Sequence, residues 1–187
     1  MEQEALLKKL AEILHRLNIP YLITGGVAVV VWGRPRFTAD IDIVVELVPE
    51  KLDRFAEALL AIEKDVYLDK KMMQDALKRE GEFNFIHPGS GLKVDFWMLK
   101  NTGFDRERIK RRVKRIVAKT ALFFISPEDL ILSKLLWYKE SESTRQLEDI
   151  ASVLRIQKKL DWRYLQKWAT LHSTLKMLKL LWRKNRK

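Results

Sequence analysis

The stretch Tyr21–Leu47, YLITGGVAVVVWGRPRFTADIDIVVEL, decides how the chain is read. Tyr21-Leu22-Ile23-Thr24 is a short strand stopped by Gly25-Gly26. Val27 to Trp32 then fits either a second strand or a short buried helix. Gly33-Arg34-Pro35-Arg36 is a loop, because Pro35 biases Arg34 away from helical angles. Ile41 to Leu47 is apolar and β-branched, a strand by composition. Asp40 and Asp42 enter that strand two residues apart. Their side chains therefore project from one face, about 7 Å apart at Cα. Carboxylates this close repel unless a cation sits between them, and a hard divalent ion such as Mg²⁺ or Mn²⁺ is the usual partner.

Outward from this stretch the pattern is mixed α/β. Leu6, Leu7, Leu10, Ile13, Leu14 and Leu17 form one helical face that ends at Asn18 and Pro20. Pro49 opens a helix with buried Leu52, Phe55, Ala56, Leu59 and Leu60, and a further helix is expected at about Lys70–Arg79. Strands follow at Phe83–Ile86 and Leu92–Leu99, separated by Pro88-Gly89-Ser90-Gly91. Asp95 sits in the second of them, where an acid on an apolar strand needs a reason. If that strand neighbours Ile41–Leu47, three carboxylates converge in a manner suited to two-metal phosphoryl chemistry; the alternative is that Asp40 and Asp42 lie on the wet face of an edge strand and Asp95 is partnered by a basic residue. Beyond residue 100, strand character is expected at Arg115–Val117 and Leu122–Ile125. Ser126-Pro127-Glu128-Asp129 then reads as a helix N-cap, with proline at the first helical position and acids in the first turn. Helices are expected to about Glu140, at Arg145–Gln157, and from Trp162 to near Trp182. The fold class is α/β (α+β): a small mixed sheet flanked by helices over 1–125, and a helical region over 126–187.

Charge divides the chain. Lys plus Arg number 36 against 25 Asp plus Glu, a net charge of +11. Residues 1–100 carry 14 basic and 16 acidic side chains, and residues 101–187 carry 22 and 9. Between Arg106 and Lys119 eight basic residues face one acid, Glu107. That density suits an RNA backbone, and serves equally to keep an exposed strand edge from aggregating. There is no cysteine, which excludes disulfides, thiolate zinc sites and thiol nucleophiles. The longest apolar run is too short to span a bilayer and the N-terminus lacks signal-peptide features, so a cytoplasmic protein without membrane partners is expected. His15, His87 and His172 have no metal-ligand spacing and read as surface or turn residues.

The runs Thr24-Gly25-Gly26-Val27-Ala28 and Gly33-Arg34-Pro35-Arg36-Phe37-Thr38-Ala39-Asp40-Ile41-Asp42 resemble the signature of the nucleotidyltransferase superfamily. The resemblance implies a DNA polymerase beta-like core. In it the Gly25-Gly26 turn holds an NTP, ATP among them, Asp40 and Asp42 bind metal, and Asp95 completes the site and takes the acceptor proton. The Arg36…Thr38 spacing is similar to the AbiEii-like branch, the toxin components of abortive-infection systems. A second match runs through Ser126–Lys134 and Arg145–Ile150. In that branch a helix Lys and a later Asp flank the nucleotide, which implies those roles for Lys134 and Asp149, with Arg36 and Thr38 positioning the triphosphate. Three residues on, where many relatives carry a second acid, this chain has Ser152. The resemblance spans about Tyr21–Asp161. It implies transfer of an NMP to a hydroxyl acceptor, with RNA or tRNA favoured by the basic half and protein also possible. An antitoxin partner is implied if the biology follows the branch. The competing class is an inactive module that keeps the fold and binds nucleotide or nucleic acid. A plain DNA-binding repressor is a third, and lacks a helix-turn-helix pattern.

Overall fold

The computed structural model describes residues 2–117 and 119–185. Arg186 and Lys187, the end of the basic run Arg183–Lys187, lie outside the described residues. The chain divides into two compact units, one comprising residues up to Val27 with Thr38–Phe124, the other Ala28–Phe37 with Ile125 onward.

The first unit contains a mixed sheet. Its strands are β1 (Tyr21–Thr24), β2 (Asp40–Val45), β3 (Tyr67–Leu68), β4 (Glu82–His87), β5 (Leu92–Met98), β6 (Val113–Val117) and β7 (Thr120–Phe124). Their order across the sheet is β3-β4-β5-β2-β1-β7-β6. β2 and β5 run parallel, as do β1 and β7; the other neighbours are antiparallel. Alternation sorts β2, β4 and β5 into two faces. Ile41, Ile43, Phe83, Phe85, Val94 and Phe96 are buried on one face. Asp40, Asp42, Glu82, Asn84, Lys93, Asp95 and Trp97 share the other.

Helices α1 (Gln3–Arg16), α3 (Leu52–Leu60), α4 (Lys70–Arg79) and α5 (Gly103–Lys110) complete this unit. Phe55 of α3 meets the sheet edge-on, its ring centroid 5.4 Å from Phe96, while Phe83 and Phe96 stack at 5.0 Å. Strand β3 and helix α5 have no counterpart in the sequence reading. β3 is only two residues long, and the apolar residues of α5 are too few to give a helical stripe.

The segment Gly25–Trp32 is a helix, α2, which settles the strand-or-helix ambiguity of an unbroken apolar run. Residues Ala28–Trp32 count with the second unit, as do α6 (Pro127–Ser141), α7 (Thr144–Ile156), α8 (Trp162–Leu171) and α9 (Leu175–Asn185). The Ser126 cap is as expected: its hydroxyl accepts the Asp129 N–H at 3.1 Å and donates to Asp129 Oδ2 at 2.7 Å. The single helix expected from Trp162 to Trp182 is instead two. Ser173 adopts φ 58°, and the Thr174 N–H returns to the Ala169 carbonyl at 2.8 Å, closing α8 with a left-handed turn. The stacked Trp162 and Trp182 rings, 4.4 Å apart, tie α8 to α9. No helix among the described residues is long and apolar enough to cross a membrane.

Candidate functional site

In the first unit the parallel pairing of β2 and β5 sets Asp42 directly opposite Asp95, with Asp40 opposite Lys93. Neighbouring strands lie about 4.8 Å apart, so Asp42 and Asp95 are adjacent positions on one face. β1 pairs antiparallel with β2 on the other side, bringing Thr24 opposite Asp42. The chain turns into α2 at that point. Gly25 holds φ +60°, and a Cβ built there would lie 2.5 Å from Asp42 Cγ and 2.9 Å from Asp42 Cβ. A Cβ on Gly26 would lie 2.9 Å from Thr38 Cβ. Both glycines are therefore required by close approach, and Gly25 also by backbone angle. Gly25, Gly26, Thr38, Asp40, Asp42 and Asp95 all belong to this unit.

Three side chains that the sequence reading did not single out engage the acids. Lys93 Nζ lies 3.0 Å from Asp95 Oδ1, and Asn84 Nδ2 donates to the same oxygen. Trp97 Nε1 donates to Asp42 Oδ1 at 3.3 Å. Lys93 and Trp97 flank Asp95 at two-residue spacing, so alternation alone placed them on its face. Asn84 required the β4–β5 register. The hydrogen bond to Asp95, then the charges of Asp95, Asp40 and Glu82, hold the Lys93 ammonium above its ordinary range. Burial, then the charges of Asp95 and Asp42, push the Glu82 carboxyl up.

Three carboxylates on one face form a hard, all-oxygen donor set of the kind Mg²⁺ or Mn²⁺ takes. The register sets Asp42 beside Asp95, and the missing side chain at Gly25 leaves the space that the Asp42 carboxylate itself fills. Among the described residues, however, no three acids or histidines are gathered as a ready-made metal cage.

The second unit carries a closed ion triad. Arg36 grips Asp149 with two parallel bonds, Nε to Oδ1 at 2.8 Å and Nη2 to Oδ2 at 2.9 Å. Lys134 Nζ lies 2.8 Å from Asp149 Oδ2 and donates to Gln146 Oε1 at 2.9 Å. Lys134 and Asp149 are each 3% exposed, so Lys134 is a buried cation and not a solvated surface lysine. Arg36 and Lys134 are the ion-pair partners of Asp149. Burial pushes the Asp149 carboxyl up, but the bonds and charges of Arg36 and Lys134 outweigh it and hold the group below the usual range. Ser152, one turn further along α7, accepts the Arg34 backbone N–H at 2.5 Å.

His87 is a turn residue, as expected, but it is not at the surface. His87 is buried, its Nε2 paired with Glu63 and its Nδ1 2.8 Å from Ser90 Oγ. It closes the Pro88–Gly91 turn rather than facing solvent.

The family model described as "Nucleotidyltransferase of unknown function (DUF6036)" matches residues 2–184. The chain belongs to this nucleotidyltransferase family. Solved structures share the DUF6036 chain's fold at low identity. An antigenic nucleotidyltransferase-like protein from Paracoccidioides brasiliensis is 20% identical, with TM-score 0.58 over 96% of this chain and 91% of that one. ANT(2'')-Ia in complex with adenylyl-2''-tobramycin is 15% identical, with TM-score 0.57 over 95% and 98%. The lincosamide antibiotic adenylyltransferase LnuA, bound to lincomycin, is 13% identical, with TM-score 0.54 over 84% and 98%. No curated protein matches the chain.

Proposed function

We propose that this nucleotidyltransferase moves an NMP unit from an NTP to an acceptor hydroxyl, with Mg²⁺ or Mn²⁺ held by Asp40, Asp42 and Asp95. One observation carries the reading: the parallel β2–β5 register pairs Asp42 with Asp95 beside a glycine turn that admits no side chain. When bound, the divalent ion offsets charge on the phosphate oxygens. The chain's own groups do the rest. The Gly25 and Gly26 N–H groups, at the start of α2, face the triphosphate, and Thr38 packs against that turn. Asp95 accepts the proton of the acceptor hydroxyl. The acceptor oxygen bonds to the α-phosphorus as the bond to the β-phosphate oxygen breaks, and pyrophosphate leaves. Arg36, Lys134 and Asp149 are assigned to nucleotide positioning, which a raised KM for NTP in Lys134→Met would register.

The acceptor is RNA, tRNA included, by the charge of the region Arg106–Lys119. Arg108 is taken up by Asp105, and Arg112 lies 5.0 Å over the Phe123 ring. Arg106, Lys110, Lys114, Arg115 and Lys119 are exposed. β6 lies four strands from β5, about 19 Å, so a strand of RNA held there has several nucleotides to span before its end meets Asp95. Tobramycin and lincomycin in the two antibiotic-modifying neighbours are small molecules, and label recovered in a small-molecule fraction contradicts the RNA assignment. The AbiEii-like spacing extends the proposal to a toxin with an antitoxin partner; growth arrest on expression, absent in Asp42→Asn, tests it. The reaction itself is tested by NTP-dependent pyrophosphate release, lost in Asp42→Asn with folding retained. Folded protein that binds NTP without release favours the inactive binding module.

A further inference from the structure

A cavity of about 620 Å³ in the second unit is lined by the segment Arg34–Arg36 and by residues of α7 and α9. Three local constraints fix the Arg34 segment against α7. The Arg34 N–H bonds to Ser152 Oγ, Arg36 is gripped by Asp149, and Gly33 has no room for a Cβ, which would lie 2.5 Å from Ser152 Oγ and 3.0 Å from the Val29 carbonyl oxygen. With its neighbours pinned, Arg34 is exposed and lines the cavity. Arg155 and Lys184 join it, and Arg155 Nε donates to Asn185 Oδ1 at 2.7 Å.

The charge at this wall is unbalanced. Of its two carboxylates, Glu148 and Asp149, the second is taken by Arg36 and Lys134. No carboxylate among the described residues pairs with Arg34, Arg155 or Lys184. Arg155 and Lys184 lie in the last turns of α7 and α9, where a cation complements the helix dipole. Arg34 is on no helix, so that reason does not extend to it. Gathering unpaired cations around a concavity is unfavourable without a counter-anion. The size suits a nucleotide-sized group. Exposed cations continue past the cavity, with Lys158 and Lys159 after α7 and Arg183 on α9. An anion whose charges repeat along its length matches that spread better than a single phosphate.

We propose that this cavity binds a phosphodiester of an RNA strand, through Arg34, Arg155 and Lys184. The inference rests on the reading of RNA as acceptor and adds a second contact, separate from the β6 edge. A phosphate of free nucleotide would meet the same chemistry, so the experiment has arms for both sources.

A labelled single-stranded oligoribonucleotide is titrated by fluorescence anisotropy across a salt series. ATP is titrated by calorimetry on the same proteins: wild type, Arg34→Ala/Lys184→Ala, Arg34→Lys, and Asp42→Asn. Each lost single-strand contact lowers the slope of log K against log salt by about 0.7, so the double variant loses about 1.4, roughly 25-fold in affinity at about 0.1 M salt. Arg34→Lys keeps the slope, and ATP affinity is unchanged in both. Asp42→Asn binds RNA as wild type does, so failure of the transfer reaction and failure of this site are read in separate assays. An unchanged slope in the double variant overturns the proposal, as does a loss of ATP affinity with RNA binding intact.

Discussion

Gly25→Ala isolates the link between backbone geometry and the carboxylate pair. Two costs combine at this position. A side chain at φ +60° costs about 1–2 kcal/mol in backbone strain. The added Cβ also starts 2.5 Å from Asp42 Cγ, against the roughly 3.5–4.0 Å at which carbon atoms pack. The Asp42 carboxylate must therefore move by about 1 Å, and a displacement of that size at a reacting centre costs about 100-fold in turnover. Gly91 supplies the matched control. Its φ is +67°, yet a Cβ there has nothing within 4 Å. Gly91→Ala carries the strain without the clash. Each variant is expected to melt about 2–8 °C below wild type, by 1–2 kcal/mol in a chain of this size. Only Gly25→Ala is expected to lose transfer activity, measured as initial rates of label transfer at saturating NTP alongside melts followed by circular dichroism. Wild-type turnover in Gly25→Ala, or equal losses of activity in both variants, refutes the reasoning.

Other perturbations test neighbouring parts of the structure. Asp149→Asn leaves Arg36 and Lys134 without their carboxylate, and breaking one member of a buried charge network costs roughly 3–5 kcal/mol. The sign with pH follows from the lowered Asp149 group. Its stabilisation is complete above the unfolded value of about 3.9 and is lost as pH falls through the folded value below it, so the melting gap between wild type and Asp149→Asn narrows under acid; a gap that widens contradicts the triad. Phe55→Ala opens a cavity beside Phe83 and Phe96, expected to cost about 3–5 kcal/mol in denaturant unfolding; a loss under about 1 kcal/mol means the aromatic cluster is not the core of the first unit. Lys93→Met removes the ammonium held 3.0 Å from Asp95. It should lower the Mn²⁺ concentration giving half-maximal transfer, and an unchanged or higher requirement means Lys93 does not compete for that carboxylate.

Much of the first unit was legible in the chain because its strands alternate cleanly. Asp40 and Asp42 share a face by period alone, and Gly25-Gly26 marked the turn beside them. What the linear sequence does not carry is register. That Asp42 meets Asp95 depends on β5 crossing to lie parallel beside β2, a non-local pairing across some fifty residues. Asn84 was invisible for the same reason. All three members of the triad, Arg36, Lys134 and Asp149, are marked in the sequence, but their meeting depends on how the loop Gly33–Arg36 docks on α7, which Ser152 and Gly33 fix through contacts over a hundred residues apart in sequence. His87 reads as a turn residue from its place before Pro88-Gly89, but its burial is not legible there. Its Nε2 partner, Glu63, lies on the connection after α3. The α8–α9 break escaped notice because the apolar spacing continues across it, while the left-handed Ser173 that breaks the helix leaves no mark in hydrophobic period.

The most direct test of the central claim is label transfer from each of the four α-labelled NTPs, with Mg²⁺ or Mn²⁺, in the presence of total cellular RNA and protein lysate. Wild type is compared with the Asp40→Ala/Asp42→Ala variant, both shown to be folded. Label on a discrete RNA species, from wild type alone, is the expected result. No label from any nucleotide with wild type, or equal labelling by the double variant, contradicts the assignment of nucleotidyl transfer to these carboxylates.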